Sequence, residues 1–160
     1  MSIRNAAKAI ILHGNKVLLN KCHSPDVGEY FVLPGGGQNQ YETMEEAVIR
    51  ECLEETGYTV VPLVFAALYE EIYTLDSFRQ ECPDYAHKVH HIFKCSIANG
   101  TPIAPAEQDA CQLDCVWVEL EDITFTNLLP SVVRENLNRI THSKTPIYLG
   151  SHLIDKEKTI

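Results

Sequence analysis

Residues 43–57 restrict the fold of this chain more than any other segment. Thr43 and Glu46, three residues apart, form a capping-box pattern, and Gly57 is placed to end a helix. The spacing predicts a helix from near Thr43 to Glu55 or Thr56. At about 100° per residue, Glu51, Glu54 and Glu55 share one face of it. Like charges three or four apart are destabilising, and the last turns of a helix already carry negative potential. Two rules are broken at one place. Ile49, Cys52 and Leu53 occupy a different arc and are expected to face the core. Met44, Ala47 and Val48 lie on the carboxylate side, one or two turns earlier, so that stripe begins apolar and ends in acid. The carboxylates are therefore expected at the margin of a buried region.

The residues alone allow two readings. A run of charge is ordinarily a solvated face. The alternative is a divalent-cation site, since hard carboxylate oxygens suit Mg²⁺ or Mn²⁺, and a bound cation would remove both violations. Arg50 serves either reading: it can hold Glu54 at i+4 or decorate the surface. Gly35-Gly36-Gly37, just upstream, allow close backbone approach and expose amide donors suited to phosphate, although a plain turn explains them too.

The rest of the chain supplies strands. Ala7–His13 and Lys16–Cys22 form a hairpin pattern around Gly14-Asn15. Tyr30–Leu33 is a short strand stopped by Pro34. Tyr58–Tyr69 reads as one or two strands, Lys88–Ile97 as a strand with Val89, His91, Phe93 and Cys95 on one face, and Cys115–Glu119 as another. Asp76–Ala86 and Thr101–Leu113 read as loop. A second helix is expected from Pro130 to Ile140, and the last twenty residues show no strong pattern. With 160 residues, 45% of them apolar, and no linker or repeat, one domain over residues 1–160 is expected. The apolar run Ala9–Leu12 is too short for a membrane span and too strand-like for a signal peptide, which leaves the cytosol as the expected compartment. Six cysteines then read as buried hydrophobes or free thiols. Cys82, Cys111, Cys115, His87, His90 and His91 lack a C-x-x-C pair, and adjacent strand residues His90 and His91 point to opposite faces, which argues against zinc.

The net charge of −9 argues against non-specific binding to nucleic acid or anionic lipid. It resides in two segments: residues 42–55 hold six acids and Arg50, net −5, and residues 70–84 hold five acids and Arg79, net −4. The first is the proposed metal segment; the second is where further ligands or substrate choice would be sought.

Gly36, Glu42 and the run Arg50-Glu51-Cys52-Leu53-Glu54-Glu55-Thr56-Gly57-Tyr58 resemble the Nudix box: G, five residues, E, seven residues, then R-E-U-x-E-E-x-G-U. Leu33-Pro34-Gly35-Gly36-Gly37 and Val116-Trp117-Val118-Glu119-Leu120 are also similar to the family. The departures are Cys52 and Tyr58 at bulky aliphatic positions, and Tyr41 where many members carry glycine. They put local packing in doubt more than chemistry.

The resemblance implies an α/β fold: an α/β/α sandwich around a mixed β-sheet, with box residues 36–58 as loop–helix–loop. It implies a MutT-like hydrolase that cleaves a nucleoside diphosphate linked to another moiety, using Mg²⁺ or Mn²⁺. By position, Glu51, Glu54 and Glu55 would be metal ligands, Arg50 would orient a carboxylate, and Glu42 would support the metal shell or the loop. Gly36 and Gly37 would shape the loop beside the diphosphate. Glu54 is the first choice of general base. Glu107, Asp109, Glu70 and Glu71 are candidates for an extra ligand or base, each also explained by surface solvation. The expected partner is a nucleotide-diphosphate small molecule, with no stable nucleic acid or membrane binding, and a homodimer is common among similar proteins. The family's NADH-type signature is missing, and Glu70–Leu75 lacks the proline that marks many ADP-ribose enzymes. Tyr73 suits a dinucleoside-polyphosphate enzyme or a core edge. Phe78, Tyr85 and Trp117 suit base stacking or core packing. A house-cleaning triphosphate pyrophosphatase and a non-catalytic nucleotide-sensing module remain as alternatives.

Overall fold

The structure is a computed structural model that describes residues 3–98, 100, 102–104 and 110–155. Seven strands form one mixed sheet: β1 (Arg4–His13), β2 (Lys16–Ser24), β3 (Gly28–Val32), β4 (Val60–Tyr73), β5 (His87–Ile97), β6 (Gln112–Glu119) and β7 (Ile147–Ile154). The order is β3-β2-β1-β5-β4-β7, with β6 on β2. The β1–β5 and β4–β7 pairs are parallel and the others antiparallel.

Strand alternation divides the core between two faces. Ala7, Ala9 and Ile11 of β1, Leu18 of β2, and Phe93 and Cys95 of β5 pack on α1 (Met44–Thr56). Ile10, Leu19 and Ile92 face the other way, onto Val133, Leu137 and Ile140 of α3 (Ser131–His142). The expected α/β/α sandwich is therefore present, and its mixed sheet is continuous from the first strand to the last. Lys94 seals the C-terminal end of α3, its Nζ donating to Thr141 O at 2.9 Å and Ser143 O at 2.7 Å. Among the described residues no helix is long and apolar enough to cross a membrane.

Helix α1 starts as its sequence dictates: Thr43 Oγ1 accepts from Glu46 N at 3.1 Å, and Glu46 Oε2 accepts from Thr43 N at 2.8 Å. Its buried residues are Ala47, Val48, Cys52, Glu55 and Thr56, whereas Ile49 and Leu53 are half-buried. Of the three residues expected to face the core, Cys52 is fully buried and Ile49 packs at the cluster's edge, while the buried stripe also takes in Ala47, Val48 and Glu55.

Three elements were not legible as expected. β4 is one strand reaching Tyr73, with bulges between Pro62 and Val64 and between Phe65 and Ala67. A short helix, α2 (Asp76–Glu81), stands where a loop is expected, too brief to show a periodicity because it buries only Phe78. β7 (Ile147–Ile154) lies within the last twenty residues, where no strong pattern is expected. Its register on β4 shifts beside Gly150, so Ile147 and Leu149 face inward before it and His152 and Ile154 after it. A strand that changes phase has no alternation to read.

Gly57 ends α1 in the left-handed region at φ 73°, with its N–H donating to Leu53 O at 3.0 Å. A Cβ there would lie 3.0 Å from the carbonyl carbon of Ile103 and closer still to its oxygen. Gly57→Ala is expected to cost about 1–2 kcal/mol from the backbone alone, with the collision added. A lowered urea midpoint at unchanged m-value is the signature to measure.

Candidate active site

The site is assembled by one guanidinium. Residues 34–38 run back along β1, with Ala9 N donating to Pro34 O at 2.8 Å, Ala7 N to Gly36 O at 2.9 Å, and Gln38 N to Asn5 O at 3.0 Å. That pairing brings the glycine loop under the last turns of α1. Arg50 closes the gap. Its Nε and Nη2 donate to the two oxygens of Glu42 at 2.8 and 2.9 Å. Its Nη1 donates to Glu51 at 2.8 Å and Glu54 at 3.2 Å, and Nη2 also to the Gly37 carbonyl at 2.9 Å. All five N–H donors of the side chain are used. The like-charge crowding read from the sequence is thereby relieved by a cation of the same helix. Hydrogen bonds from Arg50 hold the Glu42 carboxyl below its ordinary range, helped by the Asn39 N–H. The same bond to Glu42 pushes the guanidinium further up.

Glu55 faces elsewhere. It is 5% exposed, and its Oε2 accepts from Asn20 Nδ2 at 2.8 Å and from Gly35 N at 2.7 Å. Its carbonyl accepts from Gln112 Nε2 at 2.9 Å. Gly36 sits against Glu51: a Cβ on it would lie 2.5 Å from that carboxyl carbon. Gly37 lies between the Arg50 bond and the guanidinium of Arg4. Tyr41, where many relatives carry glycine, holds φ 71° while 96% exposed. That left-handed backbone is one a bulky residue adopts at a cost.

The donor set can be compared with a hard divalent cation. Glu51 Oε2 and Glu54 Oε1 have no protein partner among the described residues, and both side chains are held by one nitrogen. Carboxylate oxygens so placed, beside a glycine that leaves room for them, fit Mg²⁺ or Mn²⁺. As the side chains stand, no three His, Cys, Asp or Glu residues among those described are gathered as a ligand set, because Glu55 is turned to Asn20 and Gly35.

Beyond Glu55 the α3 face of the sheet opens into a cavity of about 470 Å³, lined by Lys8, Asn20, Tyr30, Glu71, Lys88 and Val132 among others. Its floor is a cross-strand ladder on β4 and β5, with Tyr69 opposite His90 and Glu71 opposite Lys88. The Tyr69 and His90 rings stack at 4.3 Å. Glu71 Oε2 lies 2.7 Å from Lys88 Nζ and 3.3 Å from His90 Nε2. Burial alone would raise the Glu71 carboxyl, but the His90 hydrogen bond and the Lys88 charge outweigh it and hold it at about 2. Burial pushes His90 down from its ordinary value, against the pull of Glu71.

Other candidates are dispersed. Glu70 points to the opposite face, bonded to His87 at 2.8 Å and Ser151 at 2.5 Å. Tyr73 lines the cavity but stacks on Phe78 at 4.1 Å. Trp117 packs against His13 and Tyr58, and Tyr85 lies under Arg4. Glu107 and Asp109 lie outside the described residues. Sequence reasoning missed Lys8 and Asn20 as site residues. The signal was available: Lys8 stands between Ala7 and Ala9 in an apolar strand, and Asn20 directly follows the apolar run Val17–Leu19.

A family model described as NUDIX domain matches residues 3–138, and the chain belongs to that family. A relative from Methanocaldococcus jannaschii, an ADP-ribose pyrophosphatase, is 44% identical over 63 residues. That match spans 39% of this chain and 36% of the relative, about a third of the relative's length. Among solved structures, a NUDIX hydrolase from Nitrosomonas europaea aligns at TM-score 0.70 with 19% identity, covering 88% of this chain and 89% of that one. A MutT protein from Methanosarcina mazei Go1 aligns at TM-score 0.62 with 25% identity, covering 87% and 93%.

The cavity floor fixes a pH dependence. In the fold His90 resists protonation below its ordinary 6.5 and Glu71 stays ionised below its ordinary 4.5, so the unfolded chain binds more protons as pH falls. Stability is expected to decline below about 6.5, with a second loss as pH falls from 4.5 towards about 2. Glu71→Gln should lower stability at neutral pH by about 3 kcal/mol, since it strands a buried partner, and should flatten the lower step. Urea unfolding measured across that pH range tests both.

Proposed function

We propose that this chain hydrolyses the diphosphate bond of a nucleoside diphosphate linked to another moiety, with Mg²⁺ or Mn²⁺ held by Glu51 and Glu54, and by Glu55 once its carboxylate turns from Asn20 and Gly35. The observation that carries the reading is the use of all five Arg50 donors to set Glu42, Glu51, Glu54 and the Gly37 carbonyl in one frame. A divalent cation at this cluster would neutralise phosphate charge and lower the pKa of water. The protein's own contribution is positional. Arg50 orients Glu51 and Glu54, Glu42 and the Asn39 N–H anchor Arg50, and Gly36 leaves the space that the Glu51 carboxylate fills. Glu54, with a third of its side chain exposed, is the carboxylate of this cluster best able to meet and deprotonate an attacking water. Glu55, inward of the others, joins the carboxylate cluster to the cavity.

The cavity gives the linked moiety a place. Its aromatic floor and apolar wall, next to the box, suit a nucleoside or sugar of a diphosphate compound. The relative's activity on ADP-ribose supports that class, whereas Glu70–Leu75 lacks the proline of many ADP-ribose enzymes, so ADP-ribose is one member of the panel and not its default answer.

ADP-ribose, nucleotide sugars, dinucleoside polyphosphates and nucleoside triphosphates, assayed with Mg²⁺, are expected to show turnover on at least one diphosphate-linked compound. Glu54→Gln should reduce that turnover by about two to four orders of magnitude with an unchanged circular dichroism spectrum. Preference for triphosphates would favour the house-cleaning pyrophosphatase. Inactivity across the panel, or near-normal turnover by Glu54→Gln, would respectively sink the hydrolase reading and the role of Glu54.

A further inference from the structure

Lys8 is a strand cation with no carboxylate partner among the described residues. It interrupts the apolar run of β1 between Ala7 and Ala9, both fully buried, and is itself only half-buried. The residue lines the cavity. The partner it has is a neutral one, the Gly35 carbonyl, and among the described residues it forms no ion pair with any carboxylate. Lys88, the other lysine lining the cavity, is matched by Glu71 at 2.7 Å. A half-buried ammonium without a counter-charge is costly unless something anionic arrives.

Its position specifies where that anion would lie. Gly35 is gripped from two sides, its N–H by Glu55 Oε2 at 2.7 Å and its carbonyl by Lys8. One residue therefore separates the ammonium from the inner carboxylate of the box. A molecule whose diphosphate lies at the carboxylates and whose other part enters the cavity must pass this point. We propose that Lys8 receives a phosphoryl oxygen of the substrate where the cavity meets the carboxylate cluster. This role rests on the hydrolase reading above. With three donors and one carbonyl partner, the ammonium has two N–H bonds left for such an oxygen.

The test compares the wild-type chain with Lys8→Met in two titrations: Mg²⁺-pyrophosphate by calorimetry, and Mn²⁺ alone by electron paramagnetic resonance. Lys8→Met is expected to weaken pyrophosphate binding about 10- to 100-fold, as loss of a charged hydrogen bond does, while Mn²⁺ affinity is unchanged. For the best substrate of the panel, KM should rise by a similar factor. Equal pyrophosphate binding by both proteins would overturn the proposal. So would a parallel loss of Mn²⁺ binding, which would mean that Lys8 only holds the Gly35 loop, and so would failure of the wild-type chain to bind pyrophosphate. If Lys8→Met does not fold, Lys8→Gln carries the same comparison. Turnover by the wild-type chain with unaltered pyrophosphate binding by the variant would refute Lys8 alone. Absence of turnover across the panel would refute the hydrolase reading alone.

Discussion

The Arg50 guanidinium is the interaction on which the geometry of this region depends. A planar fork with five donors meets two oxygens of Glu42, one each of Glu51 and Glu54, and the Gly37 carbonyl. These groups come from a loop, a turn and a helix, and Arg50 binds all of them. A lysine at this position would present one point charge to ligands spread around a plane. The acidic end of α1 is tolerable because its compensation comes from within the helix, one turn back, and because Glu55 leaves the cluster for the N–H groups of Asn20 and Gly35. Charge that would fray an isolated helix is here divided between two sides of the same turn.

What could be read from the sequence was what local chemistry decides. The capping box, the Gly57 stop, the Gly14-Asn15 hairpin and the Arg50–Glu54 pair depend on residues within a few positions of one another, and each is present. Illegible features depend on partners far along the chain. Glu55 resembles its two neighbours in sequence, and its separate role is set by Asn20, 35 residues away. Helix α2 has its one buried residue, Phe78, in a stack with Tyr73 on a strand outside it, and its Arg79 also donates to the Tyr73 carbonyl. Similarly, Glu70 and Glu71 are adjacent acids until the strand sends one to His87 and Ser151 and the other to the cavity floor. The acidic pair at 70 and 71 is thus two unrelated features in structural terms, with Asp76 and Glu81 of the same segment lying on α2.

The two faces of the sheet solve different problems. On the α1 side, small residues of β1 let the helix and the glycine loop approach closely. On the other side, α3 covers Ile10, Leu19 and Ile92 but leaves the Tyr69–His90 and Glu71–Lys88 ladder roofed by a cavity. Polar residues can occupy that buried floor because cross-strand register places each opposite a complementary one. Glu71 is matched by Lys88 and His90, while the buried Nδ1 of His90 has no hydrogen-bond partner among the described residues.

Tyr41 gives this region a particular way of failing. Its left-handed backbone has neither the freedom of glycine nor cover from the rest of the protein. The next residue holds it in place: Glu42, tied to Arg50 and to the Asn39 N–H. The turn is thus a loaded element latched by an ion pair. The loop and the acidic face of α1 are joined through one guanidinium, so a change at Glu42 reaches both.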